Sequence, residues 1–157
     1  MESYFHWLQN LPFSIWIAES DSILGFPLVL FMHSLGMGLA AGSAFIIGLR
    51  LIGVARPLPV SSLRFLFKIF WGSFFLNLVS GSILFAAAAE STGYKPIYYA
   101  KLALIAIGMV LSVPIRRFVD GQASDSDIPS RVKGLAALSL LVWLAVITTG
   151  RLIAYAG

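Results

Sequence analysis

The sequence has no cysteine, only two histidines and few charges: Asp, Glu, Lys and Arg make up 11% of its 157 residues. Without cysteine there are no disulfides, zinc–thiolate sites, iron–sulfur ligands or redox thiols. Two histidines, one of them His6 close to the N-terminus, argue against a multi-histidine metal site. No Ser–His–Asp set, paired catalytic carboxylates, HExxH or glycine-rich phosphate loop is present, so no catalytic residue can be named. Average soluble proteins carry roughly 25% charged residues. The shortage here excludes a cytosolic globular enzyme, a disordered chain and a nucleic-acid-binding module.

What is present is apolar. Hydrophobic residues form 59% of the chain, and the mean hydropathy is +0.89. A soluble domain of this size cannot bury that much apolar surface. A membrane helix needs about 20 mostly apolar residues, and four runs qualify: 23–49, 69–89, 96–115 and 134–155. Alternating strands of a membrane barrel are absent. The expected fold is therefore all-α, an integral membrane four-helix bundle spanning 23–157. Residues 1–22 form a separate segment in which Tyr4, Phe5, Trp7, Leu8, Leu11, Ile15 and Trp16 interleave with Glu2, Gln9 and Asn10. Beginning with Glu2 and lacking any Lys or Arg before Arg50, it does not resemble a secretory signal. It reads as an interfacial amphipathic helix broken near Pro12, acting as an anchor or as a lid.

The few charges orient the bundle. Arg50, Arg56, Arg64 and Lys68 lie around the first loop, and Arg116, Arg117, Arg131 and Lys133 around the third. The positive-inside rule places these loops in the cytoplasm and both termini outside. In a bacterium this means the inner membrane, with periplasmic termini.

An ionisable group inside a span costs about 2.5–3.5 kcal/mol at the bilayer centre and asks for a reason. His33 falls about ten residues into the first run, roughly 15 Å deep and near the expected midplane. At helical spacing it shares a face with Gly36, Ala40 and Ala44, while Gly38 and Gly42 form a GxxxG on the neighbouring face. Small residues admit another helix backbone or a flat ligand. Lys101 and Arg151 enter the third and fourth runs near the non-basic end, where Glu90 also lies. They can snorkel to the interface, or hold the acidic substituents of an apolar ligand. Asn77 reads as a bridge between helices, and Thr148 and Thr149 as back-bonded to their own helix.

Two resemblances follow from these residues. The stretch LFMHSLGMGLAAGSAFIIGLRLIG around His33 and Arg50, with YYAKLALIAIG around Lys101, resembles the first and third helices of HemJ-type membrane protoporphyrinogen oxidases. CopD-type membrane domains share a related four-helix core. The chain departs from the HemJ pattern in lacking a second histidine after the third-span aliphatic run. It also lacks an Asn-Glu-Val-Pro-like stretch in LLVWLAVITTGRLIAY. The whole chain resembles more closely an uncharacterised bacterial group of four-helix membrane proteins. The shared features are Glu19-Ser20, a proline, His33, Leu49-Arg50-Leu51-Ile52-Gly53 and Gly150-Arg151-Leu152-Ile153-Ala154-Tyr155.

Two functions are consistent with these features. In the first, His33 ligates the iron of haem b or a related tetrapyrrole in membrane redox or electron transfer. Lys101 and Arg151 then face the propionates, and Gly36 and Ala40 make room for the ring. The missing sixth ligand would be Lys101, a methionine such as Met37, a second subunit or none. In the second, the chain is a non-catalytic accessory or scaffold subunit of a larger membrane complex or homo-oligomer, and its polar residues are glue between helices.

Overall fold

The computed structural model describes residues 2–122 and 127–153, and among these every regular element is helical. Two short helices open the chain, α1 (Glu2–Gln9) and α2 (Pro12–Glu19). Three helices then follow, α3 (Phe26–Ile52), α4 (Leu63–Ala87) and the five-residue α5 (Ala89–Gly93). The chain closes with α6 (Pro96–Gly121) and α7 (Ser130–Leu152). The helices α3, α4, α6 and α7 are each long and apolar enough to cross a membrane, as the composition demands.

Prolines start three of these helices: α2, α3 and α6 each carry one in the first two positions. There the missing N–H costs nothing and the fixed φ suits a helix. Gly53 stops α3 in the left-handed conformation, φ 95°, with its N–H returned to the carbonyl of Arg50. The long helices do not keep to the apolar runs. The chain turns helical at Leu63, six residues before the second run, and α6 continues six residues beyond Ile115. Arg64, Lys68, Arg116 and Arg117 thus occupy helical turns outside the apolar stretch, where backbone hydrogen bonding still favours helix. Pro114 lies within α6 and does not end it. Residues 123–126 of the polar third loop, and Ala154-Tyr155 of the closing motif, lie outside the described residues.

Cross-helix caps fix which ends meet. The guanidinium of Arg64 donates to the carbonyls of Val119 (3.4 Å), Asp120 (3.2 Å) and Gln122 (2.6 Å) at the end of α6. At the opposite end the Lys95 ammonium donates to the carbonyl of Ile153, just past α7 (3.2 Å). Each places a cation on the negative end of a neighbouring helix. Arg50 is buried and its Nε donates to the carbonyl of Leu58, tying α3 to the proline-containing loop.

The bundle is organised around α3, which packs on α4 along one side and on α7 along the other; α6 packs on α7. Each of these three seams contains a glycine pressed against its neighbour. A Cβ at Gly36 would lie 3.0 Å from the carbonyl oxygen of Ser73 and 3.1 Å from the amide nitrogen of Asn77, both backbone atoms of α4. One at Gly48 would meet Leu140 of α7 at 2.7 Å, and one at Gly108 would meet the Trp143 indole at 3.3 Å. Apolar burial gives little driving force between helices already in lipid, so close packing and interhelical hydrogen bonds hold them together. The fourth seam, α4 against α6, has few contacts.

The N-terminal segment is two short helices separated just before Pro12, where the sequence predicts the break, and it is partly built into the bundle. Phe5 and Ile17 are buried, Ile17 beside Val29 of α3 and Ala87 of α4. Tyr4, Trp7, Phe13 and Trp16 remain exposed.

Substituting Gly36 by Ala forces backbone away from backbone and should cost about 1–3 kcal/mol. A Cβ at Gly38 would have no neighbour within 4 Å, so Gly38→Ala should be neutral or gain up to about 1 kcal/mol of helix propensity. Thermal unfolding in detergent should separate the two; equal midpoints would contradict the seam assignment.

Candidate functional site

The loose seam between α4 and α6 forms a partly open cavity of about 240 Å³. Its walls include Phe74, Asn77, Leu78, Gly81, Ser82 and Phe85 from α4, and Tyr98, Lys101, Leu102 and Ile105 from α6. His33 closes it from α3, Thr92 from α5, and Gly150 and Ile153 from the end of α7.

Helix lengths explain why His33 and Lys101 share it. Because α3 runs from Phe26 to Ile52, His33 is six residues from its centre, about 9 Å toward the end where α1 and α2 pack. His33 thus lies on the N-terminal side of the middle of α3. Lys101 is five residues into α6, about 11 Å from that helix's centre on the same side. The two groups stand at nearly one level.

Three residues of α4 position His33, one at its backbone and two at its ring. Asn77 Nδ2 donates to the backbone carbonyl of His33 (2.9 Å), fastening this turn of α3. Gly81 leaves space for the ring: a Cβ there would lie 2.9 Å from His33 Cε1. Ser80 Oγ is 3.2 Å from His33 Nδ1. Ser80 has one hydroxyl proton, and its shortest contact, 2.7 Å, is to the carbonyl of Leu76. With that proton donated to Leu76, Ser80 can only accept from the ring. His33 Nδ1 then carries the hydrogen, and Nε2 carries the unshared lone pair. Nε2 has no partner among the described residues. A neutral imidazole with one nitrogen satisfied and the other free is the form that ligates a metal or accepts a hydrogen bond.

Lys101 is half-buried and forms no hydrogen bond or ion pair among the described residues. Its side chain lies along Gly150, where a Cβ would be 3.6 Å from Nζ. Glu90 does not supply a counter-ion: it is exposed, and its backbone N–H is taken by Gln9 Oε1 at 2.8 Å. Arg151 is exposed and does not line the cavity. Its neighbour Gly150 faces inward, and the helix turns the arginine away. Gly36 and Ala40 are buried and also absent from the cavity wall. The small-residue face expected to admit a ring admits α4 instead at Gly36. Of the five residues that the sequence marks as candidates, His33 and Lys101 come together and the other three do not.

Asn77 does bridge helices, and Thr148 and Thr149 donate to the carbonyls of Leu144 and Ala145 in their own helix. Ser80, Gly81, Phe85 and Tyr98 join the site without standing out in the sequence. One signal does mark two of them: Asn77, Ser80 and Gly81 fall on one helical face of α4. The aromatic pair gives no such signal, since Phe85 and Tyr98 lie on different helices.

The fold and site define a four-helix membrane protein with an apolar cavity that holds an imidazole nitrogen and an ammonium, both without a partner among the described residues. The chain belongs to a family of unknown function (DUF6644), whose model matches residues 6–156. No curated protein and no solved structure matches it, HemJ-type and CopD-type proteins included.

The position of the Ser80 proton has a direct spectroscopic consequence. In ¹⁵N-histidine-labelled protein, the His33 ring should show a protonated Nδ1 and an unprotonated Nε2. Ser80→Ala should remove the preference and populate both tautomers; a protonated Nε2 in the parent protein would refute the assignment.

Proposed function

We propose that the protein binds haem b or a related acid-bearing tetrapyrrole in this cavity and serves membrane redox or electron transfer. The observation that carries the reading is His33 Nε2, without a partner among the described residues, in the wall of an apolar cavity between span-length helices that also contains an ammonium with no counter-ion among those residues. His33 would hold the iron, with Ser80 orienting the ring from behind as a supporting hydrogen-bond partner. Lys101 would face a carboxylate, supplying the point charge that such a group needs in a low-dielectric setting. When bound, the tetrapyrrole would supply one-electron chemistry, with its potential set by the axial ligand and by burial. Met37 does not line the cavity, which leaves Lys101 or no residue as the sixth ligand within one chain. The cavity lies below the roughly 300–1,000 Å³ of typical ligand sites. A ring as large as a porphyrin therefore also needs the space along the loose α4–α6 seam.

The same reading puts the basic loops in the cytoplasm of a bacterial inner-membrane protein and both termini in the periplasm, in accord with the positive-inside rule.

A second reading has its own observation. Gly38 and Gly42 present a GxxxG where an added Cβ would have no neighbour within 4 Å, which suits contact with a second copy or another subunit. In that case the chain is an accessory or scaffold subunit. His33→Ala would then alter assembly without any spectral change.

Protein purified in detergent from haem-replete cells should show a Soret band that shifts on reduction. His33→Ala should abolish it. Lys101→Ala should weaken haem retention by about tenfold or more, as loss of a charge-assisted contact does. A folded, colourless parent protein would overturn the haem reading.

A further inference from the structure

The cavity has two distinct boundaries. Toward the end where α1 and α2 pack it is capped by an aromatic stack: the rings of Phe85 and Tyr98 lie 4.8 Å apart and nearly parallel, at 10°. They join the last turns of α4 to the first turn of α6. The stack is seated from outside by Phe5 of α1, edge-on to Phe85 at 6.1 Å and to Tyr94 at 5.2 Å. Phe5 fits because residue 93 is glycine: a Cβ there would be 2.8 Å from its ring. Gln9 adds its bond to the Glu90 N–H, so α1 is fastened over α5 at two points.

The lateral boundary differs. Leu78 and Leu102 both line the cavity, yet both are exposed on the outer surface of the bundle, at 54% and 44%. Leu78 precedes the end of α4 by nine residues and Leu102 follows the start of α6 by six. That sets them about 9–14 Å below the helix ends, at the depth of the acyl chains. Among the described residues, no glycine contact draws α4 and α6 together here.

We infer that the cavity loads sideways from the bilayer, through a window between Leu78 and Leu102, while Phe85 and Tyr98, seated by Phe5, close it to water. Its ligand is a membrane-dissolved amphiphile. The apolar body passes between the two leucines, and the acidic group meets Lys101 inside. The N-terminal pair of short helices seats the cap through Phe5, and its exposed Tyr4, Trp7, Phe13 and Trp16 hold it in the headgroup region, where such side chains partition. The cavity is the one proposed for haem, but the lateral route does not depend on haem being its ligand.

The cysteine-free chain allows a test that is read without haem. Ile105→Cys places one thiol in the cavity wall, and labelling in lipid nanodiscs is compared for N-ethylmaleimide and for a sulfonated, membrane-impermeant maleimide. Rates are normalised to those of an exposed Glu19→Cys control. N-ethylmaleimide should label the cavity thiol, and the charged reagent should be slower by about tenfold or more. Adding Phe5→Ala, or Phe85→Ala as a second variant, should raise the charged reagent's rate by about tenfold, the scale of one lost aromatic pair. Adding Leu102→Trp should slow N-ethylmaleimide alone. Equal rates for the two reagents in the parent would overturn the inference, as would a charged-reagent rate that neither cap variant changes. An absent Soret band with these labelling rates intact would remove the haem reading and leave the lateral route standing.

Discussion

Backbone-to-backbone contact at Gly36 is the constraint from which the site follows. Where α3 meets α4, a glycine lets the helices approach until the space of a single methyl group is missing. One turn away, Asn77 reaches the carbonyl of His33 and locks the register. That register brings the imidazole to Ser80 and Gly81. A different spacing between these two helices would place the ring against a side chain or in lipid. The hydrogen bond and the close approach reinforce each other, as helices without a hydrophobic drive to associate require.

The cavity is the complement of this packing. Three seams are drawn tight at Gly36, Gly48 and Gly108, and α3 and α7 take part in all of them between them. The α4–α6 seam lacks such a contact among the described residues and is held near its two ends. Arg64 caps α6 at the basic end, and the Phe85–Tyr98 stack bridges the other. Between those ties the helices stand apart, which is where His33 and Lys101 face inward. His33 and Lys101 therefore lie where packing is loosest, while the layer around Phe70 and Trp143 is mostly apolar, with the buried Ser112 and Ser139 among its few polar residues. Two indole nitrogens in that layer, of Trp71 and Trp143, lack acceptors among the described residues. Their rings act there as packing volume, edge-on to Phe70 at 5.9 and 5.5 Å.

Much of the architecture is legible in the sequence because it depends on one-dimensional quantities. Apolar run length sets the number of spans, and the bracketing prolines and Gly53 mark helix ends. Helix bounds are less legible, since α4 and α6 continue into charged turns that hydropathy assigns to loops. The site is half legible. His33 and Lys101 stand out because each carries a cost in lipid that sequence alone reveals. Gly36, Ala40 and Arg151 lie outside the cavity for a shared reason: periodicity defines a face but not what that face meets. The face of α3 that suits a flat ligand also suits a helix, and α4 occupies it. Arg151 is one residue from an inward-facing Gly150, a difference of about 100° around the helix that no composition records.

The two unsatisfied groups constrain a ligand more strongly together than apart. The lone pair of His33 asks for a metal or a hydrogen-bond donor, because Ser80 already accepts the ring's only proton. Lys101 asks for an anion, because no carboxylate among the described residues reaches it. A plain lipid could meet the second demand and a simple quinone, which offers only acceptors, fails the first. A metallated macrocycle with carboxylate arms meets both. A scaffold whose partners did not reach this cavity would leave both groups unpaired among the described residues, a penalty that single substitutions to apolar residues would remove. That penalty, concentrated at one level of one loose seam, is what a ligand or a partner at this seam would have to relieve.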